Sequence, residues 1–116
     1  MLKEPNTGEL TRRLAIKRRQ DLPAMGGGVT PSYTVVATVW AKIEPVGGAL
    51  FFGTQQVGEQ VTDRVFIRRT AALTERTITG EHEFECDGQR YRVRRGSAVN
   101  GGKAFVMFEV ENLGNV

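Results

Sequence analysis

The residues around Asp87-Gly88 constrain this chain more than any other stretch. Asp-Gly flanked by alternating polar and apolar residues signals a two-residue type I′ turn, whose two central positions both need positive φ. Closing that turn sets Cys86 opposite Gln89, and the rest of the register follows by counting outward. Phe84 then faces Tyr91 and His82 faces Val93 on one side of the hairpin. On the other side Glu85 faces Arg90, Glu83 faces Arg92 and Glu81 faces Arg94. A slip of one residue would exchange the faces and lose both matches.

The rest of the chain reads as strands of the same kind. Residues 12–19 alternate, with Leu14 and Ile16 on one face and Arg13, Lys17 and Arg19 largely on the other. Pro23 and the run Gly26-Gly27-Gly28 then open a loop that ends near Pro31. Residues 32–44 form the clearest strand. Val35, Ala37, Val39, Ala41 and Ile43 share the expected core face, and Trp40 stands on a mostly polar opposite face. Trp40 there marks either a subunit interface or a contact beneath a loop of its own chain. Residues 61–69 place Val65 and Ile67 on one side and Phe66 on the other. Residues 103–111 are apolar on both faces, as in a central or covered strand. Residues 71–79 form a connection with little pattern.

These segments predict an all-β fold: a small β-barrel or sandwich of about six mostly antiparallel strands, with a long loop after the second. That loop, residues 46–59, has room for one short helical turn around 50–57, although its glycines weaken any helix. The whole chain, 1–116, is read as a single domain. Residues 1–9 are expected to form a flexible N-terminal arm and 112–116 a frayed tail.

Composition narrows the function classes. Fourteen glycines favour turns and short strands over a helical bundle. The longest apolar stretch, residues 35–41, is too short to cross a bilayer, and the polar N-terminus lacks an apolar signal core, so neither a membrane nor secretion is expected. A single cysteine, Cys86, excludes an internal disulfide and suits a reducing compartment. No catalytic set is visible. His82 reads as a structural histidine, Ser32 and Ser97 lack a nucleophile-elbow context, and no phosphate-binding loop or metal-ligand spacing occurs. No cofactor, metal or enzymatic activity is expected.

The net charge of +3 is mild, but its arginines cluster. Arg12, Arg13, Lys17, Arg18 and Arg19 gather near the start, Arg64, Arg68 and Arg69 in the middle, and Arg90, Arg92, Arg94 and Arg95 later. They suit either inter-subunit salt bridges on solvated faces or contacts with nucleic-acid phosphates. The hairpin pairing neutralises much of the third cluster. An OB-like module that binds single-stranded nucleic acid would need Trp40, Phe66 and Tyr33 to stack beside Arg64, Arg68 and Arg69.

Taken in order, the segments resemble the phage head–tail joining, or head-closure, family of siphophage-type connector proteins. Gly8-Glu9-Leu10-Thr11-Arg12-Arg13-Leu14-Ala15-Ile16-Lys17-Arg18-Arg19 is similar to that family's opening, with an Ile-centred basic strand. Val36-Ala37-Thr38-Val39-Trp40-Ala41-Lys42-Ile43-Glu44-Pro45 resembles its aliphatic-x-Trp-Ala-x-Ile-Glu-Pro run. A glycine-containing segment with aromatics and glutamines follows at residues 47–56. Thr62-Asp63-Arg64-Val65-Phe66-Ile67-Arg68 matches a Thr-His-x-aliphatic-x-Ile-Arg stretch, with Asp63 where the family has His. Gly88-Gln89-Arg90-Tyr91-Arg92-Val93 matches its hairpin. The likeness spans roughly residues 8–111.

The resemblance implies a structural virion protein of the head–tail connector, or neck. It implies a ring-forming head-closure (stopper) subunit that retains packaged DNA and gives the tail its docking platform. It further implies a homo-oligomeric ring of roughly six or twelve subunits, portal or adaptor proteins above, and tail-terminator or tail proteins below. Double-stranded DNA would pass through without sequence specificity, and assembly would take place in the host cytoplasm. The long loop would point into the channel, with Leu50, Phe51, Phe52, Thr54, Gln55 and Gln56 as its gating residues. Phe51 and Phe52 would pack it against a neighbour while Gln55 and Gln56 face the lumen. Leu10, Arg13, Trp40, Arg64 and Arg68 are the expected subunit or partner interface. A tail terminator or other neck ring protein, and the OB-like module, are the alternatives.

Overall fold

A strand apolar on both faces must be covered on both, and the last strand shows how this chain does it. The computed structural model describes residues 5–23, 26–46, 61–99 and 104–115. Six strands run through them: β1 (Arg12–Pro23), β2 (Val29–Pro45), β3 (Asp63–Arg68), β4 (His82–Cys86), β5 (Gln89–Ala98) and β6 (Phe105–Asn115). All neighbours are antiparallel, and the order β1-β2-β3-β6-β5-β4 closes where β4 pairs with β1. A turn of 3-10 helix over Thr7–Glu9 precedes β1.

Inside the closed sheet, Val106, Phe108 and Val110 of β6 join Leu14, Ile16, Val65, Ile67, Phe84 and Val93. Phe84 meets Phe108 edge to face, with centroids 5.5 Å apart. Gly96 lies opposite Phe108 in the β5–β6 register. A Cβ there would come within 2.7 Å of the Phe108 ring, so only glycine leaves room for it. On the outer face, Phe105 and Met107 join Phe66 and Val99 in a second cluster, against which Leu10 packs. Each large side chain so buried contributes about 1.5–3 kcal/mol.

The hairpin forms in the predicted register, from Cys86↔Gln89 to Glu83↔Arg92. Asp87 and Gly88 have φ of 51° and 78°, as a type I′ turn requires. The ladder stops there. The His82 N–H bonds to the Thr79 carbonyl, and Arg94 bulges out of β5 between Val93 and Arg95. The expected ion pairs are therefore redistributed, within the hairpin and to neighbouring elements. Glu85 takes Lys17, Glu83 takes Arg90, Glu81 takes Arg18, and Arg94 reaches Glu111. In a closed sheet each strand offers partners on two sides, and the nearer geometry wins.

Other expectations need correction. Val35 does not face the core: it is 52% exposed. The β1–β2 register shifts at this point, with Ile16 opposite Ala37 but Lys17 opposite Val35, so Val36 is a bulge that turns every β2 residue before it to the other face. Both strands also run further than the alternation suggested, to Pro23 and from Val29. Within the expected arm, residues 5–9 lie against the barrel. Pro5 is buried, the Asn6 N–H bonds to Glu9, and Lys42 holds Glu9 at 2.9 Å. The expected frayed tail continues β6 instead, with Tyr91↔Asn112 and Gln89↔Asn115. The patternless stretch 71–79 covers one end of the barrel by inserting Leu73 and Ile78 into the main core. The loop 46–59 has only Val46 within the described residues.

Beyond Arg18↔His82 the β1–β4 ladder ends, with one last bond from the Arg19 N–H to the Glu81 carbonyl. Residues 20–23 and 29–32 then pair only with each other. On its other edge β2 meets β3 only over residues 41–45. The pair projects as a ribbon, and the longest extent of the molecule is 50 Å against 32 and 25 Å.

Candidate functional site

The side chains that the barrel leaves in the open gather beside the middle of β2. Strand alternation puts Arg13 and Trp40 opposite each other on the outer face of β1–β2. The Arg13 guanidinium lies 4.9 Å from the centre of the indole ring, a contact worth about 0.5–1 kcal/mol at an exposed site. Trp40 is 54% exposed, so no described loop of its own chain covers it. The segment before β1 brings Thr7 and Leu10 alongside, and the end of β3 brings Arg68, whose Nη2 donates to the Thr7 hydroxyl at 3.0 Å. The turn after β3 adds Thr70 and Leu73. Together with Thr38 and Val39 these residues line a cleft of about 350 Å³. Its floor is apolar and its rim carries two guanidiniums, a chemistry that suits a segment bearing an apolar side chain beside a carboxylate.

Four of the five residues expected at an interface, Leu10, Arg13, Trp40 and Arg68, thus meet in one cleft. Arg64 does not. It sits four residues before Arg68 on β3, opposite Glu44 and Glu109, roughly 13 Å along the strand. Leu50, Phe51, Phe52, Thr54, Gln55 and Gln56 lie outside the described residues. Thr7, Thr38, Val39, Thr70 and Leu73 were not foreseen. Leu73 is the largest apolar side chain before Ile78 in its connection, and that was the only signal it offered.

Charge is otherwise closely matched. Arg12, Lys17, Arg18, Arg19, Lys42, Arg69, Arg90, Arg94 and Arg95 each have a carboxylate within 4.0 Å. Among the described residues Arg13, Arg64, Arg68, Arg76 and Arg92 have none within that distance, and of these Arg13 and Arg68 stand in the cleft, their guanidiniums over the rings of Trp40 and Phe105. A second cleft, of about 250 Å³, lies between Lys17, Tyr33, Glu83, Glu85 and Arg90. Its charges are satisfied internally: Arg90 donates to both oxygens of Glu83 at 3.3 Å and Lys17 holds Glu85 at 3.0 Å. Desolvation, with the Glu83 charge next, raises the Tyr33 phenol pKa, and the Glu83 hydrogen bond raises that of Arg90. Both groups are held in their ordinary charge states.

The remaining reactive groups are equally quiet. Burial raises the Cys86 thiol pKa, which disfavours the nucleophilic thiolate. Burial also lowers the His82 imidazole pKa, and its Nδ1 accepts the Thr79 N–H at 3.1 Å. No group of three or more His, Cys, Asp or Glu residues suited to a metal ion occurs among the described residues. The nucleic-acid constellation does not converge either. Phe66 is buried, Arg69 is held by Glu75, and Tyr33 pairs across the ribbon with Arg19, away from Trp40.

No curated protein matches the chain in a sequence search. The fold is found in a chain of the virion of a native gene transfer agent particle, with a TM-score of 0.63 at 18% identity, covering 95% of this chain and 98% of that one. It is also found in protein SF1141 from Shigella flexneri 2a, solved in solution. There the TM-score is 0.65 at 14% identity, with 90% and 96% covered. The family profile of the phage head completion protein matches residues 5–112, and nearly every element described above falls within that span. The chain belongs to the phage head completion protein family.

Proposed function

We propose that this protein is a ring-forming subunit of the head–tail connector of a tailed phage, which closes the filled head, retains its DNA and presents a platform to the tail. The observation that carries the reading is the family match over residues 5–112. The surface supports it. A closed barrel needs no partner to satisfy its sheet, yet this one keeps an exposed tryptophan and two carboxylate-free arginines in an apolar cleft. Such a surface is what a subunit between neighbours needs. In this reading copies of the chain stand side by side as a single domain each, with portal or adaptor proteins above and tail proteins below. The loop 46–59 lines the channel, and DNA passes without being read. The role is structural, and no catalytic step belongs to it.

Electron microscopy of lysates from a phage lacking this gene tests the proposal. Full-size heads that have lost their DNA, beside free finished tails, are the expected outcome. Normal heads with tails of abnormal length would move the protein to the end of the tail. Intact infectious particles would remove it from the connector.

A further inference from the structure

Every large hydrophobic side chain exposed among the described residues belongs to the strand pair β1–β2. Trp40 stands in the cleft. Leu22 and Val29 stand on the ribbon that runs beyond the barrel, exposed by 49 and 63%, and Val35 and Val36 stand nearer its base on β2, each exposed by 52%. At the far end of that ribbon Pro23 pairs with Val29, Leu22 with Thr30, and Asp21 with Pro31. On one face its tip therefore offers a carboxylate, Asp21, diagonal to a bare apolar side chain, Val29, while Leu22 points to the other face. The cleft offers the converse, an apolar floor of Leu10, Val39, Trp40 and Leu73 between Arg13 and Arg68. Among the described residues Asp21 is held by Arg19 alone, in a pair that is half exposed on both sides. Such a pair is easily exchanged for another guanidinium.

From these observations we infer that the ribbon tip of one copy docks in the cleft of the next, with Val29 on the apolar floor and Asp21, on the same face, between Arg13 and Arg68. The occupant must be a second copy. Val29 and Trp40 are eleven residues apart on one continuous strand, a span of roughly 36 Å that cannot fold back on itself. Tip and cleft are different surfaces at different ends of the molecule, so the contact is heterologous. Repetition then gives a ring if the rotation closes and a filament if it does not. The inference deepens the ring reading above and rests on it.

Trp40 is the only tryptophan, so its fluorescence reports the cleft directly. The purified full chain would be followed by Trp40 emission and by sedimentation velocity up to about 1 mM, a range that reaches weak contacts. The expected result is a blue shift that tracks assembly. V29D and R68E should each weaken both signals about tenfold or more, and D21R combined with R68E should recover much of the loss. Far-UV circular dichroism establishes that each variant is folded. Assembly that V29D leaves unchanged, with Trp40 emission constant, would sink tip-in-cleft docking while the ring reading survives. A blue shift that stops at a dimer would keep the docking and overturn the ring. A shift seen only on adding another neck protein would assign the cleft to that protein and overturn the pairing of copies. The absence of both signals throughout the range would overturn it too.

Discussion

The β4–β5 hairpin and the outer part of β1–β2 are both antiparallel pairs of similar length, and they solve opposite problems. In β4–β5 each strand is flanked on both sides, by β1 and by β6, and its inward residues Phe84, Cys86, Tyr91 and Val93 are buried. Its charges reach carboxylates or cations on its own and neighbouring strands, such as Arg12 with Asp87 and Lys17 with Glu85. In the outer ribbon, residues 20–23 and 29–32 have only each other, and Leu22 and Val29 face solvent. An isolated two-stranded hairpin is marginal in water, so this one is held by its continuity with the barrel. Backbone geometry does not separate the two regions. The number of neighbouring strands does, together with whether an apolar side chain has anywhere to go.

The comparison breaks most visibly if the two regions are truncated in turn. Phe108→Ala removes a fully buried ring that meets Phe84 and fills the space left by Gly96. The expected loss is about 3–5 kcal/mol in urea unfolding, a large share of a domain's usual total of roughly 5–15 kcal/mol. A loss under about 1 kcal/mol would mean that the barrel interior repacks freely and that the contrast with the ribbon is overstated.

A smaller effect isolates the His82 end of β4. Desolvation lowers its imidazole pKa, Arg18 lowers it further, and the Thr79 backbone and Glu81 oppose the shift. A depressed folded pKa means that the unfolded chain binds the proton more readily. The contribution of neutral His82 is therefore fully present above the unfolded pKa of about 6.5, and it is lost as pH falls from there towards the folded value. Stability should decline as pH falls below about 6.5, before most carboxylates titrate, and His82→Gln should flatten that slope. An unchanged slope in the variant would assign the acid sensitivity to other groups.

What could be read from the sequence followed local rules. The register from Cys86↔Gln89 to Glu83↔Arg92 was legible because a two-residue turn fixes everything counted from it, and β6 was legible because a two-faced apolar strand needs two covers. The same counting failed where an extra residue enters a strand. The bulge at Val36 exposes Val35, and the bulge at Arg94 sends its charge to Glu111; no residue type announces either. Of the four foreseen cleft residues, Trp40 was legible as a large side chain on a mostly polar face, and Leu10, Arg13 and Arg68 as parts of the segments that carry the resemblance. Their convergence was not, because it depends on β3, the 3-10 turn and the segment at 70–73 arriving at one place. Arg64 shows the limit: similar in type to Arg68, it lies at the other end of β3.

The smallest expected change in stability is the one that best separates the two regions. Leu22→Ser alters a half-exposed side chain on a strand whose neighbours hold it by backbone pairing alone. Surface substitutions of this kind stay within about 0.5 kcal/mol, so thermal and urea midpoints should match those of the unaltered chain. A hydrophobic side chain whose loss costs the isolated fold almost nothing has a solvent-facing place that stability does not explain. If Leu22→Ser instead destabilised the monomer by 2 kcal/mol or so, well outside the surface range, Leu22 would be packing against its own chain. The ribbon would then be a second stabilised hairpin, and its difference from β4–β5 would disappear.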